Sequence, residues 1–343
     1  MTEQKYDFTS ATFWFFKAVG RNPGGAFSIA LWQMIFYAVI FGAALALTMP
    51  MVASILEMAA AGAEPDPADL LAAAGGLLAV IPLLVIGSLL VTLMVQGAWM
   101  RLLTRNEVKG GIPFRLGGDE GRLFLVNLCF IGLLIVGYIA VFAIVAALVA
   151  VSAGVGMATD GAVWSGLING LLWFLVVVAL GVAVIILMVR FAAAPALSVR
   201  QRGFRLFESF AATRRIVGWM VLSYFVLLIV ALVGSMVVSV LQQVAFMGGA
   251  MGAIAPLWSD IMAGVDPGPE AVLAALRDAM GSPAVLIALA VIVLVQVIFQ
   301  IVIEGLWHGV GAYAAVRHDG GLGENEQDIS APAESVGNPP AEG

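Results

Sequence analysis

Four polar side chains recur at intervals of four residues in the last long apolar run of this 343-residue chain. They are Gln296, Gln300, Glu304 and His308, and the residues around them are mostly Val, Ile, Leu and Phe. Because residues four apart lie on one face of a helix, the spacing predicts a polar stripe along an otherwise apolar helix. A carboxyl one turn from an imidazole is the arrangement that a proton relay or a polar ligand site uses.

The stripe has a second interpretation, in which it joins neighbouring helices by hydrogen bonds. In that case Glu304 pairs with Arg190, which ends the fourth apolar run at a comparable depth. The sequence favours this structural interpretation, because both charges lie near the ends of their runs, where long side chains reach water at low cost. The relay or ligand site stays open as the alternative.

The composition predicts the elements that position these residues. The chain is 62% apolar and only 11% charged, with a mean hydropathy of +1.04, whereas soluble domains are about 45–50% apolar and about 25% charged. Crossing a bilayer takes about 20 apolar residues in a helix. We therefore predict an all-α polytopic membrane protein whose membrane domain, residues 26–318, has six transmembrane helices near 26–47, 76–100, 123–149, 163–188, 217–240 and 284–307.

Basic residues predict the orientation of these spans. Fifteen of the 16 Lys and Arg residues precede span 1, separate spans 2 and 3, separate spans 4 and 5, or follow span 6, and Arg277 is the exception. The positive-inside rule makes that side cytoplasmic, so both termini are predicted there. Nine acidic residues lie on the opposite side: Glu57, Glu64, Asp66, Asp69, Asp160, Asp260, Asp266, Glu270 and Asp278.

Several segments outside the spans carry their own patterns. Residues 1–25 are predicted as a cytoplasmic N-terminus with an interfacial helix over Phe8–Val19, and residues 319–343 as a disordered acidic cytoplasmic tail. A basic in-plane helix over Arg200–Arg215 would offer contacts to anionic lipids, although its arginines have the simpler interpretation of fixing topology. These candidates are Arg200, Arg202, Arg205, Arg214 and Arg215. Short helices are predicted in two outer loops, at Asp66–Ala73 and Asp266–Ala275.

Similar motifs before the odd-numbered spans suggest three related helical hairpins. The aromatic segments 13–27, 114–124 and 204–219 each lead into an odd-numbered span, and spans 2 and 6 end alike, with a Gly two residues before Trp99 and Trp307. Chance matches in apolar sequence are the competing explanation.

Motifs of enzymes are absent from the sequence. It has no phosphate-binding Gly-rich loop ending in Lys-Ser/Thr, no His-Glu-x-x-His pair and no Gly-x-Ser-x-Gly elbow. Its one cysteine, Cys129, lies in an apolar run and is interpreted as a small buried hydrophobic residue. We expect no enzyme activity, no cofactor, no metal and no nucleic-acid partner; the expected partners are the lipid bilayer, anionic lipids and other membrane proteins.

Several stretches resemble a group of bacterial six-span inner-membrane proteins related to the membrane domain of some glycerophosphodiester phosphodiesterases. They are Asn22–Gly25, Phe114–Glu120, and Arg190–Val199 followed by Phe204–Arg214 and Trp219. The resemblance covers most of residues 8–318 and implies a module of the bacterial inner membrane. Its biochemical role is unknown in that group, and an association with phospholipid or glycerophosphodiester handling is one implication. The catalytic barrel of those enzymes is missing, since both histidines lie near the C-terminus, so their activity is not implied.

Two functions are therefore predicted. The first is a membrane-embedded binding or scaffold component without a catalytic site. The alternative is a small transporter or lipid-handling protein that uses the stripe on span 6 together with Arg190.

Overall fold

A computed structural model describes residues 6–60, 67–108, 111–158, 163–249, 251–266 and 268–321. Throughout these ranges the regular structure is helical, with no strand. In chain order the helices are α1 (Phe8–Thr12), α2 (Trp14–Arg21), α3 (Pro23–Ala60), α4 (Pro67–Arg105), α5 (Gly118–Ala158), α6 (Val163–Phe191), α7 (Ala194–Arg200), α8 (Glu208–Thr213), α9 (Val217–Gly249), α10 (Met251–Met262), α11 (Gly268–Gly281) and α12 (Pro283–His318).

Six of these helices are long and apolar enough to cross a membrane, which confirms the predicted all-α multi-pass fold. The candidate spans are Pro23–Thr48, Ile81–Arg105, Gly118–Gly154, Gly166–Arg200, Val217–Gly249 and Pro283–His318. Gly166–Arg200 includes most of α6, the turn after it and α7. Most of the spans extend past the predicted bounds, because a helix continues beyond its apolar run until a capping residue or a turn ends it. α3, for example, begins at Pro23, where the Asn22 side chain accepts a hydrogen bond from the Gly25 N–H at 2.9 Å.

The buried core lies at the arginine-rich end of the bundle, which we call the basic end. The C-terminal half of α12 is its centre and packs against α9, α7, α4 and the short helices α1 and α2. Val310, Ala312 and Ala315 are inaccessible there. Away from this end the apolar side chains of α5 and α6 are largely exposed, as at Phe142 and Phe174, and this is the surface that a bilayer would solvate.

Glycines on α12 permit close contact at the basic end. A Cβ atom added to Gly305 would collide with the Phe15 ring of α2, and one added to Gly309 would lie 3.1 Å from the Phe15 backbone nitrogen. A Cβ atom on Gly311 would collide with the Ala192 carbonyl oxygen in the turn between α6 and α7. Small residues at such contacts let helix backbones approach each other within a membrane.

The N-terminal interfacial segment is two helices. α1 and α2 are separated at Phe13, and Ala11, Trp14 and Phe15 are buried against the rest of the basic end. The aromatic residues of this amphipathic segment therefore divide between the protein core and the surface, where Phe16 is about half exposed.

The predicted single helix over Arg200–Arg215 is wrong. α7 ends at Arg200, and residues 201–207 form turns before α8 begins at Glu208. Arg202 has a left-handed backbone with a φ of 51°. The Ser198 hydroxyl accepts a hydrogen bond from the Arg205 N–H at 3.0 Å, and Leu206 is buried. These contacts hold the segment in a turn that its phenylalanine spacing does not reveal.

The two outer-loop helices have different outcomes. The segment predicted as a short helix at Asp66–Ala73 is the beginning of the long helix α4, which starts at Pro67. The segment predicted at Asp266–Ala275 is a separate helix, α11, which packs against α3 and α12. α10 was not predicted. The acidic tail lies outside the described residues from 322 onward. Consecutive long helices contact each other as hairpins, but the internal repeat stays a prediction.

The first testable prediction concerns Gly311. Gly311→Ala should lower the free energy of unfolding by about 1–3 kcal/mol, because its methyl group must displace backbone rather than a flexible side chain. Thermal denaturation in detergent, followed by circular dichroism, measures the effect. Gly181→Ala in α6 is the matched control, since nothing lies within 4 Å of that position, and it should be neutral or slightly stabilising. Equal melting of the two variants would contradict the close contact.

Candidate intramembrane polar site

The carboxylate of Glu304 is held by two glutamines. Its Oε1 atom accepts a hydrogen bond from Gln300 Nε2 at 2.7 Å, and its Oε2 atom accepts one from Gln33 Nε2 at 3.3 Å. Gln300 lies one turn earlier on α12, whereas Gln33 lies on α3. Glu304 is half-buried, so its contacts reach from the bundle surface into the core.

Gln33 connects Glu304 to a third helix. Gln33 is completely inaccessible, and its Oε1 atom accepts a hydrogen bond from Trp99 Nε1 on α4 at 2.8 Å. Its Nε2 atom also lies 3.3 Å from the Tyr37 hydroxyl. A buried amide that both donates and accepts fixes its own orientation, so Trp99, Gln33 and Glu304 form one connected chain across α4, α3 and α12.

The remaining members of the predicted stripe have separate environments. Gln296 accepts a hydrogen bond from Gln242 of α9 at 2.9 Å, in an exposed pair. His308 is half-buried and makes no hydrogen bond to another described residue. Because α12 contacts different helices along its length, four residues on one face meet different partners, and they do not form one continuous relay among the described residues.

Arg190 does not form the predicted ion pair with Glu304. Its Nη1 atom donates to the Phe210 carbonyl at 3.3 Å, and its guanidinium stands 5.9 Å from the centre of the Phe210 ring. Its own carbonyl accepts a hydrogen bond from the Ser209 hydroxyl at 2.6 Å. Arg190 is therefore held at the basic end by α8, which the sequence did not predict as its partner.

A buried ion-pair cluster joins α4 to the beginning of α5. Arg101 pairs with Glu120, and Arg105 pairs with Asp119 at 2.5 Å. Arg101 and Glu120 are each 3% exposed. A Cβ atom on Gly97 would lie 2.6 Å from Glu120 Oε1, so this glycine makes room for the carboxylate. The sequence pattern predicted only a topological role for these arginines; the acids three and four residues before the third apolar run, Glu120 and Asp119, indicated possible partners.

The five arginines predicted to contact anionic lipids divide into two groups. Arg200 forms an ion pair with Asp319 at 2.9 Å and donates to the carbonyls of Thr104 and Gly321, so it ties α7 to the ends of α4 and α12. Arg205 pairs with Glu208. Arg202, Arg214 and Arg215 are exposed.

Hydrogen bonds of residues near the N-terminus hold α1 against the rest of the basic end. Hydrogen bonding by the Ser10 hydroxyl lowers the pKa of the Asp7 carboxyl, which also accepts the Thr9 N–H at 3.2 Å as the cap of α1. Burial raises the pKa of the Tyr6 hydroxyl to about 12, so Tyr6 is neutral beside Ser223 of α9, 3.4 Å away.

Within the described residues no group of three or more His, Cys, Asp or Glu side chains could hold a metal ion.

The second testable prediction concerns Gln33. Gln33→Leu should lower the free energy of unfolding by about 1–3 kcal/mol, because Trp99 and Glu304 each lose a partner at a buried site. Gln242→Leu is the matched control and should cost only about 0.6 kcal/mol, the average for one hydrogen bond between membrane helices. Unfolding by sodium dodecyl sulfate in mixed micelles measures both. Similar losses in the two variants would contradict a special role for Gln33.

Comparison of the chain with protein-family models, with curated proteins and with solved structures gives no match. The resemblance to the membrane domain of glycerophosphodiester phosphodiesterases therefore stays a prediction.

Proposed function

We propose that this multi-pass membrane protein is a non-enzymatic binding or scaffold component of a bacterial inner membrane. The observation that carries the proposal is the fixed position of Glu304. A carboxyl that moves protons or ions must exchange its partners during each cycle. Glu304 instead accepts a hydrogen bond from Gln33, which is inaccessible and is itself held by Trp99.

The architecture of the basic end supports the same proposal. Buried ion pairs join α4 to α5, and Arg200 joins α7 to the ends of α4 and α12. Breaking a buried pair by removing one partner costs about 3–5 kcal/mol, so these contacts resist the relative helix movements that alternating access needs. An end of this kind suits a platform on which lipids or other membrane proteins bind.

A second candidate function is a small transporter or lipid-handling protein that works through the stripe. One observation favours it: Gln296 and Gln300 are exposed on α12, so a polar surface leads along that helix to Glu304. In this case Glu304 would bind the coupling proton, and its contact with Gln33 would break during transport.

The third testable prediction separates the two functions. Full-length protein in liposomes loaded with a pH-sensitive dye should pass no more protons down an imposed pH gradient than protein-free liposomes. Glu304→Gln should give the same trace, because a neutral amide still accepts from Gln33. A proton flux that is present in the wild type and lost in Glu304→Gln would overturn the scaffold proposal in favour of transport.

The fourth testable prediction concerns the orientation. Alkaline phosphatase is active only outside the cytoplasm, so a fusion after Arg215 should be inactive and a fusion after Gly264, between α10 and α11, should be active. Immunoblots of both fusions control for expression. An active fusion after Arg215 would overturn the cytoplasmic placement of the basic end.

A further inference from the structure

A groove at the basic end gathers positive charge. Arg190, Arg214, Arg215, Arg317 and His318 line a volume of about 620 Å³, with the rings of Phe207 and Phe210 along its wall. No carboxylate is among the described residues that line it. Four guanidinium groups therefore line the groove, and arginine stays protonated in proteins.

This groove differs from the other arginine sites at the same end. Arg101, Arg105 and Arg122 are matched to Asp119 and Glu120 within one cluster. Arg190 instead gives one hydrogen bond to the Phe210 carbonyl, which uses one of its five N–H groups. Arg214 is exposed and makes no ion pair with a described residue. Both arginines can thus direct donors toward an anion in the groove.

An apolar groove lies next to the basic one. It runs between α5 and α6 and has a volume of about 400 Å³. Its walls include Leu134, Gly137, Tyr138, Met188 and Phe191. Because this groove lies within the spans and is open at its side, it faces the hydrocarbon of the bilayer.

One aromatic pair separates the two grooves. The rings of Phe191 and Phe210 have centres 4.7 Å apart and are nearly perpendicular, at 87°. Phe191 lines the apolar groove and Phe210 lines the basic groove, while Arg190 directly precedes Phe191 in the chain. A molecule that reached across this pair would place a charged group at the arginines and a chain of carbon atoms between α5 and α6.

We propose that the two grooves together bind one anionic phospholipid of the adjoining leaflet. Arg190 and Arg214 donate to its phosphate, and one acyl chain lies in the groove between α5 and α6. Basic pockets between transmembrane helices are suited to anionic headgroups. A zwitterionic lipid binds less well, because its ammonium group enters the same positive field. This inference rests on the proposed binding role and names the ligand class.

The fifth testable prediction measures lipid binding by native mass spectrometry of the full-length protein in detergent. Phosphatidylglycerol should bind with at least tenfold higher affinity than phosphatidylcholine with the same acyl chains. A basic residue near an anionic headgroup contributes about fivefold, so Arg214→Gln should weaken phosphatidylglycerol binding about fivefold. The double variant Arg190→Gln, Arg214→Gln should weaken it about 25-fold.

Matched controls separate the groove from the general charge of this end. Arg202→Gln removes the same charge from an exposed residue outside the groove and should leave binding unchanged. A loss as large as that of Arg214→Gln would overturn the site. Thermal melting of each variant shows whether it is folded. Arg214→Gln alters an exposed residue and should melt like the wild type. If the double variant proves unstable, lipid binding by the single variant Arg214→Gln therefore decides the test.

Filling the apolar groove tests whether the ligand is a lipid or free phosphate. Gly137→Phe should weaken phosphatidylglycerol binding at least fivefold without changing any charge, whereas Gly132→Phe, on another face of α5, should not. Glycerol 3-phosphate, which has the headgroup phosphate but no acyl chain, should compete only weakly. Strong competition together with no effect of Gly137→Phe would overturn the lipid proposal and assign the groove to a soluble phosphate. A negative result for lipid binding would leave the proton-flux result unchanged. The lipid site and the scaffold function can therefore be overturned independently of each other.

Discussion

The close contact of α12 with α2 and with the turn after α6 holds the basic end together. Apolar side chains gain little by leaving lipid for one another, so membrane helices associate through close packing and hydrogen bonds. Gly305 and Gly309 admit Phe15, and Gly311 admits the Ala192 carbonyl. Without these approaches α12 would stand farther from α2 and from the turn after α6.

Arginine has two distinct roles at this end of the molecule. In the cluster between α4 and α5 it neutralises buried carboxylates and fixes one helix against another. At the groove beside α8 it faces a space with no described carboxylate. The positive-inside rule predicts one side of the membrane for all of these residues, but their roles depend on the acids that the fold brings to each of them.

The sequence was sufficient for the class of fold and the number of spans, because hydropathy over about 20 residues is decided locally. It was insufficient for the polar site. Gln33 and Trp99 lie in long apolar runs, and nothing in the neighbouring sequence links them to Glu304, 271 residues from Gln33. The Arg190–Glu304 pair failed for the same reason: equal depth in the bilayer does not imply the same side of the bundle. The turn over residues 201–207 depends on a hydrogen bond that the Arg205 N–H donates to the Ser198 hydroxyl. The spacing of apolar residues does not predict such a bond.

The position of α1 and α2 has a consequence for how the molecule is made. Both precede the long helices in the chain and are therefore synthesised before them, yet they pack against α12, the last of the long helices described; the Asp7 N–H donates to the Tyr313 hydroxyl over a separation of 306 residues. During synthesis the aromatic face of α2 therefore lacks its contacts with α12 while the intervening helices enter the bilayer. Completion of the basic end therefore needs a contact between the two ends of the described chain, and a ribosome that stalls before Gly305 leaves inserted spans without the buried C-terminal half of α12.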